Sequence, residues 1–184
     1  MSEDSDSELM RQVRAGRTSA LAILFERHHA RLYRYCLRMT GNRQTSEDLV
    51  QDVFMKMLKY KTNFRDDSVF APWMFGIARN ACVAHWRRAA VDAVPETDLE
   101  NTPAEPRTDD DHAGAQQADL VRRALLALPA ERREVLVLSR YEFKTYEEIA
   151  RTLGCSAQAV RVRAHRAIKQ LRDIYRELAG EAPI

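Results

Sequence analysis

The sequence predicts an all-α fold: two small helical domains joined by a flexible acidic linker. Three observations support this. Apolar residues recur at steps of three and four along most of the chain, and no stretch alternates with the period of two that a strand requires. The charges separate into blocks although the net charge is only +2. One stretch, residues 92–118, has eight acids against a single Arg, three prolines (Pro95, Pro103, Pro106) and few large apolar residues. Such a segment buries too little to repay its conformational entropy, so it is expected to act as a tether. On this division, residues 1–17 form a tail with a short helix, 18–91 a first domain, 92–118 the linker and 119–184 a second domain. The chain of 184 residues, 45% apolar, is long enough to supply two small cores.

The elements follow in order. Residues 18–40 form a long amphipathic helix through Leu21, Leu24, Phe25, His28, Leu32, Tyr35, Cys36 and Met39, stopped by Gly41-Asn42. Thr45 or Ser46 is expected to cap the next helix. Glu47 and Asp48 suit its positive N-terminal end, and its apolar face is Leu49/Val50, Val53/Phe54 and Met57/Leu58. Residues 59–68 read as a loop. A third helix starts near Val69, with Pro72 tolerated in its first turn, and runs to about Arg88. The second domain begins near Asp119 with a helix ended by Pro129. Helices over Glu131–Tyr141 and Thr145–Leu153 follow, the latter with a capping box in Thr145-x-x-Glu148. Gly154-Cys155 makes the turn, and Ser156 caps a last helix to about Leu178.

Composition also excludes several classes. The three cysteines, Cys36, Cys82 and Cys155, form no CxxC pair and no disulfide framework. Reduced, buried thiols in a cytoplasmic protein are expected. The acidic start MSEDSDSELM has no apolar core, so no signal peptide is expected. No run approaches 18 apolar residues, so no membrane insertion is expected. There is no GxxxxGK[ST] phosphate loop. No catalytic residues, cofactor or metal site are expected.

Two segments carry chemistry. TYEEIARTLGCSAQAVRVRAHRAIKQLR has the form of a helix-turn-helix. Gly154 can adopt a left-handed turn, Ser156 serves as cap, and Val160 points inward to set the crossing of the two helices. Arg161, Arg163, Arg166, Lys169 and Arg172 load the second helix, and no acid occurs from Ser156 to Arg172. The planar fork of arginine pairs with two guanine acceptors or with a phosphate, and Gln158 and His165 add groups able to reach base edges. A basic helix face on an ordinary bundle is the plain alternative, but here the turn glycine, the cap and the one-sided charge coincide.

The other segment, FRDDSVFAPWMFGIARNACVAHWRR, mixes Phe64, Phe70, Trp73, Phe75 and Trp86 with Arg65, Arg79, Arg87 and Arg88. Aromatic faces stack on exposed bases while cations hold phosphates, a composition suited to opened DNA. Phe75 and Trp86 read better as core. Phe64 and Phe70 fit either role. On the preceding helix, the macrodipole accounts for Glu47 and Asp48. Asp52 lies one turn further in, on a polar strip that could dock a protein.

These pieces in this order resemble the sigma-70 family, in its extracytoplasmic-function group (group IV), over about residues 18–175. EDLVQDVFMKML resembles the region that grips the polymerase largest subunit, which implies core-polymerase binding by Asp48, Leu49, Gln51, Asp52 and Phe54. The aromatic-basic segment resembles the region that melts and reads the −10 promoter element. The resemblance therefore implies −10 contacts from Phe64, Asp66, Phe70, Trp73, Arg79, Asn80, Arg87 and Arg88. Within it, Asn80 stands where the family contacts a flipped-out base, and the loop Asp66–Phe70 matches the pocket that receives that base. The C-terminal segment resembles the reader of the −35 element, implying contacts from Ser156, Gln158, Arg161, Val162, Arg163, His165, Arg166 and Lys169. Two departures stand out. Gly76 replaces a commonly basic residue, and Ala159, Val162 and His165 differ from frequent family choices at positions that set the sequence read.

The resemblance implies core RNA polymerase and promoter DNA as partners, the DNA double-stranded at −35 and opened at −10. It also implies an anti-sigma factor. A built-in C-terminal regulatory module is not expected. Other classes remain open from the residues alone. A helix-turn-helix regulator acting on duplex DNA without polymerase would account for residues 119–178 but not for the aromatic-basic segment. A nuclease built on Glu47, Asp48 and Asp52, or on Cys82 with His85, lacks enough ligands for a usual metal site. An adaptor that sequesters another sigma factor would inhibit transcription rather than direct it.

Overall fold

A computed structural model of the chain describes residues 4–92, 112–142 and 145–180, and all regular structure among them is helical. The fold divides into two compact units, one of residues 1–37 and 44–96, the other of residues 38–43 and 97–184.

The first unit opens with α1 (Asp6–Arg14), capped by the Ser5 hydroxyl, which accepts from the Glu8 amide at 3.2 Å. Leu9, Met10 and Val13 of α1 are buried at 2% exposure or less, so the N-terminal segment belongs to the core of this unit. The short helix expected within residues 1–17 is α1, and it packs into the unit rather than trailing from it. The one-turn spacing of these three apolar residues gives α1 an inward face that only the folded unit can cover.

Three longer helices follow: α2 (Ser19–Thr40), α3 (Arg43–Lys59) and α4 (Phe70–Asp92). Aromatic contacts join them. Tyr35 of α2 meets Phe75 of α4 edge-on with centroids 5.2 Å apart, and Phe25 of α2 meets Phe54 of α3 at 4.9 Å. Arg31 lies over the Phe75 ring at 5.1 Å. The cap expected at Thr45 or Ser46 does not form. Gly41 takes φ +76°, the chain reverses within two residues, and α3 starts at Arg43, leaving Ser46 fully buried inside the helix.

In the second unit, α5 (His112–Ala127), α6 (Ala130–Val137), α7 (Tyr146–Leu153) and α8 (Ala157–Ala179) pack so that α8 touches each of the other three. Leu125, Leu128, Val135, Leu136, Val137, Ile149 and Val160 form its core. α5 begins seven residues before the expected Asp119, and Gly114 is tolerated near its start. The last part of the expected linker is therefore helical, while residues 93–111 lie outside the described residues. The helix expected over Glu131–Tyr141 runs as α6 and then widens into a single π-turn at Leu138–Glu142.

Arg133, which the sequence did not single out, ties the α5–α6 turn. Its guanidinium donates to the carbonyl of Leu126 and, at 3.0 Å, to that of Leu128. These carbonyls are left over where Pro129 stops α5. Burial lowers the pKa of Arg133 from its ordinary value, since the charged form loses water.

Candidate nucleic-acid and polymerase interfaces

The helix-turn-helix is built as its residues dictate. Thr145 and Glu148 form a reciprocal capping box at α7: the Glu148 amide donates to the Thr145 hydroxyl at 3.3 Å and the Thr145 amide to the Glu148 carboxylate at 3.2 Å. Gly154 takes φ +63°, ψ +38°, the left-handed region that a Cβ would strain. The Ser156 hydroxyl accepts from the Ala159 amide at 3.1 Å and starts α8. Val160, Ala164 and Ala167 face inward at 2% exposure or less. This register sends Gln158, Arg161, Val162, Arg163, His165, Arg166 and Lys169 to the surface, where all are exposed. Val162 adds an apolar patch, 39% exposed, of a size to meet a thymine methyl. Ser156 is also exposed, although its hydroxyl is engaged in the cap. Cys155, expected to be buried, is half-exposed beside the turn, whereas Cys36 and Cys82 are buried.

In the first unit, α3 and α4 flank an open groove of about 1100 Å³. Asp48 and Asp52 line its α3 side, and Arg79, Asn80, Arg87 and Arg88 its α4 side. Its α4 wall is basic, and its α3 wall is weakly acidic, since Lys56 also lines it and offsets one of the two carboxylates. Gln44 donates to Asp48 at 3.3 Å, and Lys56 pairs with Asp52 at 2.7 Å, each one helical turn away. Half-exposed pairs of this kind contribute only about 0.3–0.5 kcal/mol, so a partner can replace them at little cost. Leu49 and Phe54, expected at the polymerase surface, are buried at 4% and 6%. They lie on the inward stripe of α3, and Phe54 is packed on Phe25. The surface that α3 offers is Asp48, Gln51, half-exposed Asp52 and Met55, the last 66% exposed. Sequence reasoning passed over Met55, although the three-to-four spacing places it beside Gln51 and Asp52 on the outer face.

The aromatic residues divide in the same way. Phe64 and Phe70, expected as −10 contacts, are 0% and 2% exposed and present no face to a base. Phe64 packs edge-on against Trp73 at 5.1 Å, and Phe70 packs against His28 at 5.0 Å. Hydrophobic burial withdraws both rings from that role. Phe75 is core, as expected, and Trp86 is half-buried. Trp73 and Arg79 are half-buried, while Asp66, Asn80, Arg87 and Arg88 are exposed. Among the described residues no three His, Cys, Asp or Glu side chains gather as a metal site, and no helix is long and apolar enough to cross a membrane.

Comparison with known proteins matches both units. Residues 24–91 match the model of Sigma-70 region 2, and residues 118–171 that of Sigma-70, region 4. The chain is 34% identical to the RNA polymerase sigma factor CarQ of Myxococcus xanthus, over 94% of this chain and 98% of that protein. It is 32% identical to the ECF RNA polymerase sigma factor SigL of Mycobacterium tuberculosis, over 89% of this chain and 93% of that one. Among solved structures it is similar to CnrH in complex with the cytosolic domain of CnrY. That similarity has a TM-score of 0.71 at 25% identity and covers 93% of this chain and 97% of the other. It is also similar to the sigma factor RpoE in complex with the anti-sigma factor NepR from Bartonella quintana, with a TM-score of 0.68 at 25% identity, over 83% of this chain and 94% of that one.

Proposed function

The chain belongs to the sigma-70 family of RNA polymerase sigma factors, in its extracytoplasmic-function group, and from that membership we propose how its surfaces divide the work of starting transcription. A sigma factor performs no reaction of its own. It gives core polymerase a place to start.

The exposed strip of α3, Asp48, Gln51 and Asp52 with Met55, docks on core polymerase. The first turns of α8 enter the major groove of the −35 element, where Arg161, Arg163 and Arg166 meet base edges and phosphates and Lys169 follows the backbone. The α4 side of the groove receives the non-template strand of the opened −10 element. Asn80 contacts an extruded base, Arg87 and Arg88 hold its phosphates, and Trp73 offers a partial ring face. Extrusion costs a few kcal/mol per base, which stacking and pocket hydrogen bonds offset. An anti-sigma factor is a further partner, since the structurally similar RpoE is in complex with the anti-sigma factor NepR. Work of this kind places the protein in the bacterial cytoplasm.

One observation carries this reading: an exposed cationic recognition helix in one unit and a basic α4 face, Arg79, Arg87 and Arg88 with Asn80, in the other stand in the same order as the two family regions. A duplex-only regulator has no use for the second. The test is run-off transcription with core polymerase and a genomic promoter library. Discrete start sites that require the chain are expected. Failure to join core polymerase, or transcription without defined starts, would remove the reading.

A further inference from the structure

The loop between the 3-10 turn (Lys61–Asn63) and α4 is held from outside by α1. Arg14 donates to the Phe64 carbonyl at 2.7 Å and pairs with the Asp66 carboxylate. Arg11 donates to the Asp66 carbonyl at 3.4 Å, and the Ser7 hydroxyl reaches the Ser68 carbonyl at 3.5 Å. Three alternate carbonyls of one loop thus accept from a single helix. The loop also closes on itself, with the Arg65 amide on the Ser68 hydroxyl and the Ser68 amide on the Arg65 carbonyl, both at 3.1 Å.

The loop is anchored at its two ends by the buried rings of Phe64 and Phe70. The His28 ring packs on Phe70, and its Nε2 meets the Asp6 carboxylate at 2.8 Å. α1 therefore supports the far end of the loop as well, through Asp6 and His28. Between the anchors Arg65, Asp66, Asp67 and Val69 are exposed. A surface loop ordinarily satisfies its carbonyls with water and samples several conformations. Here α1 takes up three of those carbonyls instead. Core packing does not require it, because Leu9, Met10 and Val13 attach α1 to the unit without any help from Arg14.

We propose that α1 is a positioning element for reading the opened strand, with Arg14, assisted by Arg11, holding loop 64–68 in the conformation that receives an extruded base. Arg14 touches no DNA in this arrangement and acts through the loop, and its fork geometry is what lets it bind a carbonyl and a carboxylate together. The inference rests on the −10 role that the sigma-70 resemblance implies for loop Asp66–Phe70 and adds the residue that preorganises it.

The test uses holoenzyme reconstituted with wild-type chain, Arg14→Ala, Arg14→Met or Arg14→Lys. The probe is a single-stranded DNA pool with a randomised segment, from which retained strands are sequenced. Amide hydrogen exchange of residues 64–69 is followed in the free chains. Arg14→Ala should join core polymerase normally, lose base preference at one or two adjacent positions by about fivefold, and exchange its loop amides faster. Arg14→Met keeps the packing of the stem and should behave alike, which covers the case that alanine unfolds the unit. Arg14→Lys keeps the charge but not the fork and should recover only part of the preference. If wild-type selects bases and both Arg14→Ala and Arg14→Met select the same ones as sharply, the inference falls while the loop's −10 role stands. If wild-type itself selects nothing, that role falls and takes the inference with it.

Discussion

At the scale of single residues, function here depends on which atoms of an amphipathic helix remain outside. On the proposed division of work, Asp52 and Arg161 serve different partners from different units, so their losses should separate. Arg161→Ala should cost ~1–3 kcal/mol at one −35 base and relax the choice of base there. Asp52→Ala should weaken retention on core polymerase and leave duplex binding unchanged. Filter binding to −35 duplex and co-purification with core polymerase, run on both variants, measure this, and equal loss of both activities in each variant would contradict it. Residue chemistry was only partly legible from the sequence. The surface positions Arg161, Arg163, Arg166 and Lys169 could be assigned because Val160 marks the inward side of the helix and no acid interrupts the cations that follow it. Phe64 and Phe70 could not, since an aromatic next to a loop serves equally well as an anchor or as a stacking platform until its neighbours are placed. His28 and Trp73 are the neighbours that make them anchors.

At the scale of elements, the recognition helix depends on its start. The left-handed Gly154 and the Ser156 cap determine where α8 begins, and hence which side chains face outward. Gly154→Ala should cost about 1 kcal/mol in backbone strain, and Ser156→Ala a similar amount in a lost cap. For a domain of this size that corresponds to a fall of ~4–8 °C in the melting temperature of the second unit, read by calorimetry. An unchanged melting temperature in both variants would show that the turn is held by other contacts. Local signals of this strength explain why the boundaries of α7 and α8 agree with their sequence reading to within a residue or two. The starts of α3 and α5 do not agree. Thr45, Ser46 and Asp119 looked like natural beginnings, but a left-handed Gly41 allowed an earlier start in one case, and the alanines and glutamines after His112 extended the helix backwards in the other.

At the scale of the whole molecule, charge pattern matters more than net charge. Residues 20–91 have twelve basic against six acidic side chains and residues 119–184 thirteen against nine, on either side of a strongly acidic stretch. Promoter affinity of the holoenzyme should therefore fall steeply with salt, and each phosphate-contacting cation removed from α8 should lower the slope of log affinity against log salt by about 1. Titrating Arg163→Ala and Lys169→Ala across a range of potassium chloride measures this, and slopes equal to wild-type would remove those cations from the interface. The sequence by itself determined the helical class, the two-unit plan, the helix-turn-helix and its cationic face, because helical periodicity, caps and charge blocks are local properties of neighbouring residues. Only the tertiary structure decided that α1 belongs to the core and clasps a loop fifty residues away, that Leu49, Phe54, Phe64 and Phe70 are buried, and that Asp48 and Asp52 face Arg87 and Arg88 across a groove. Those outcomes depend on contacts between residues distant in the chain, and periodicity carries no information about which inward face meets which.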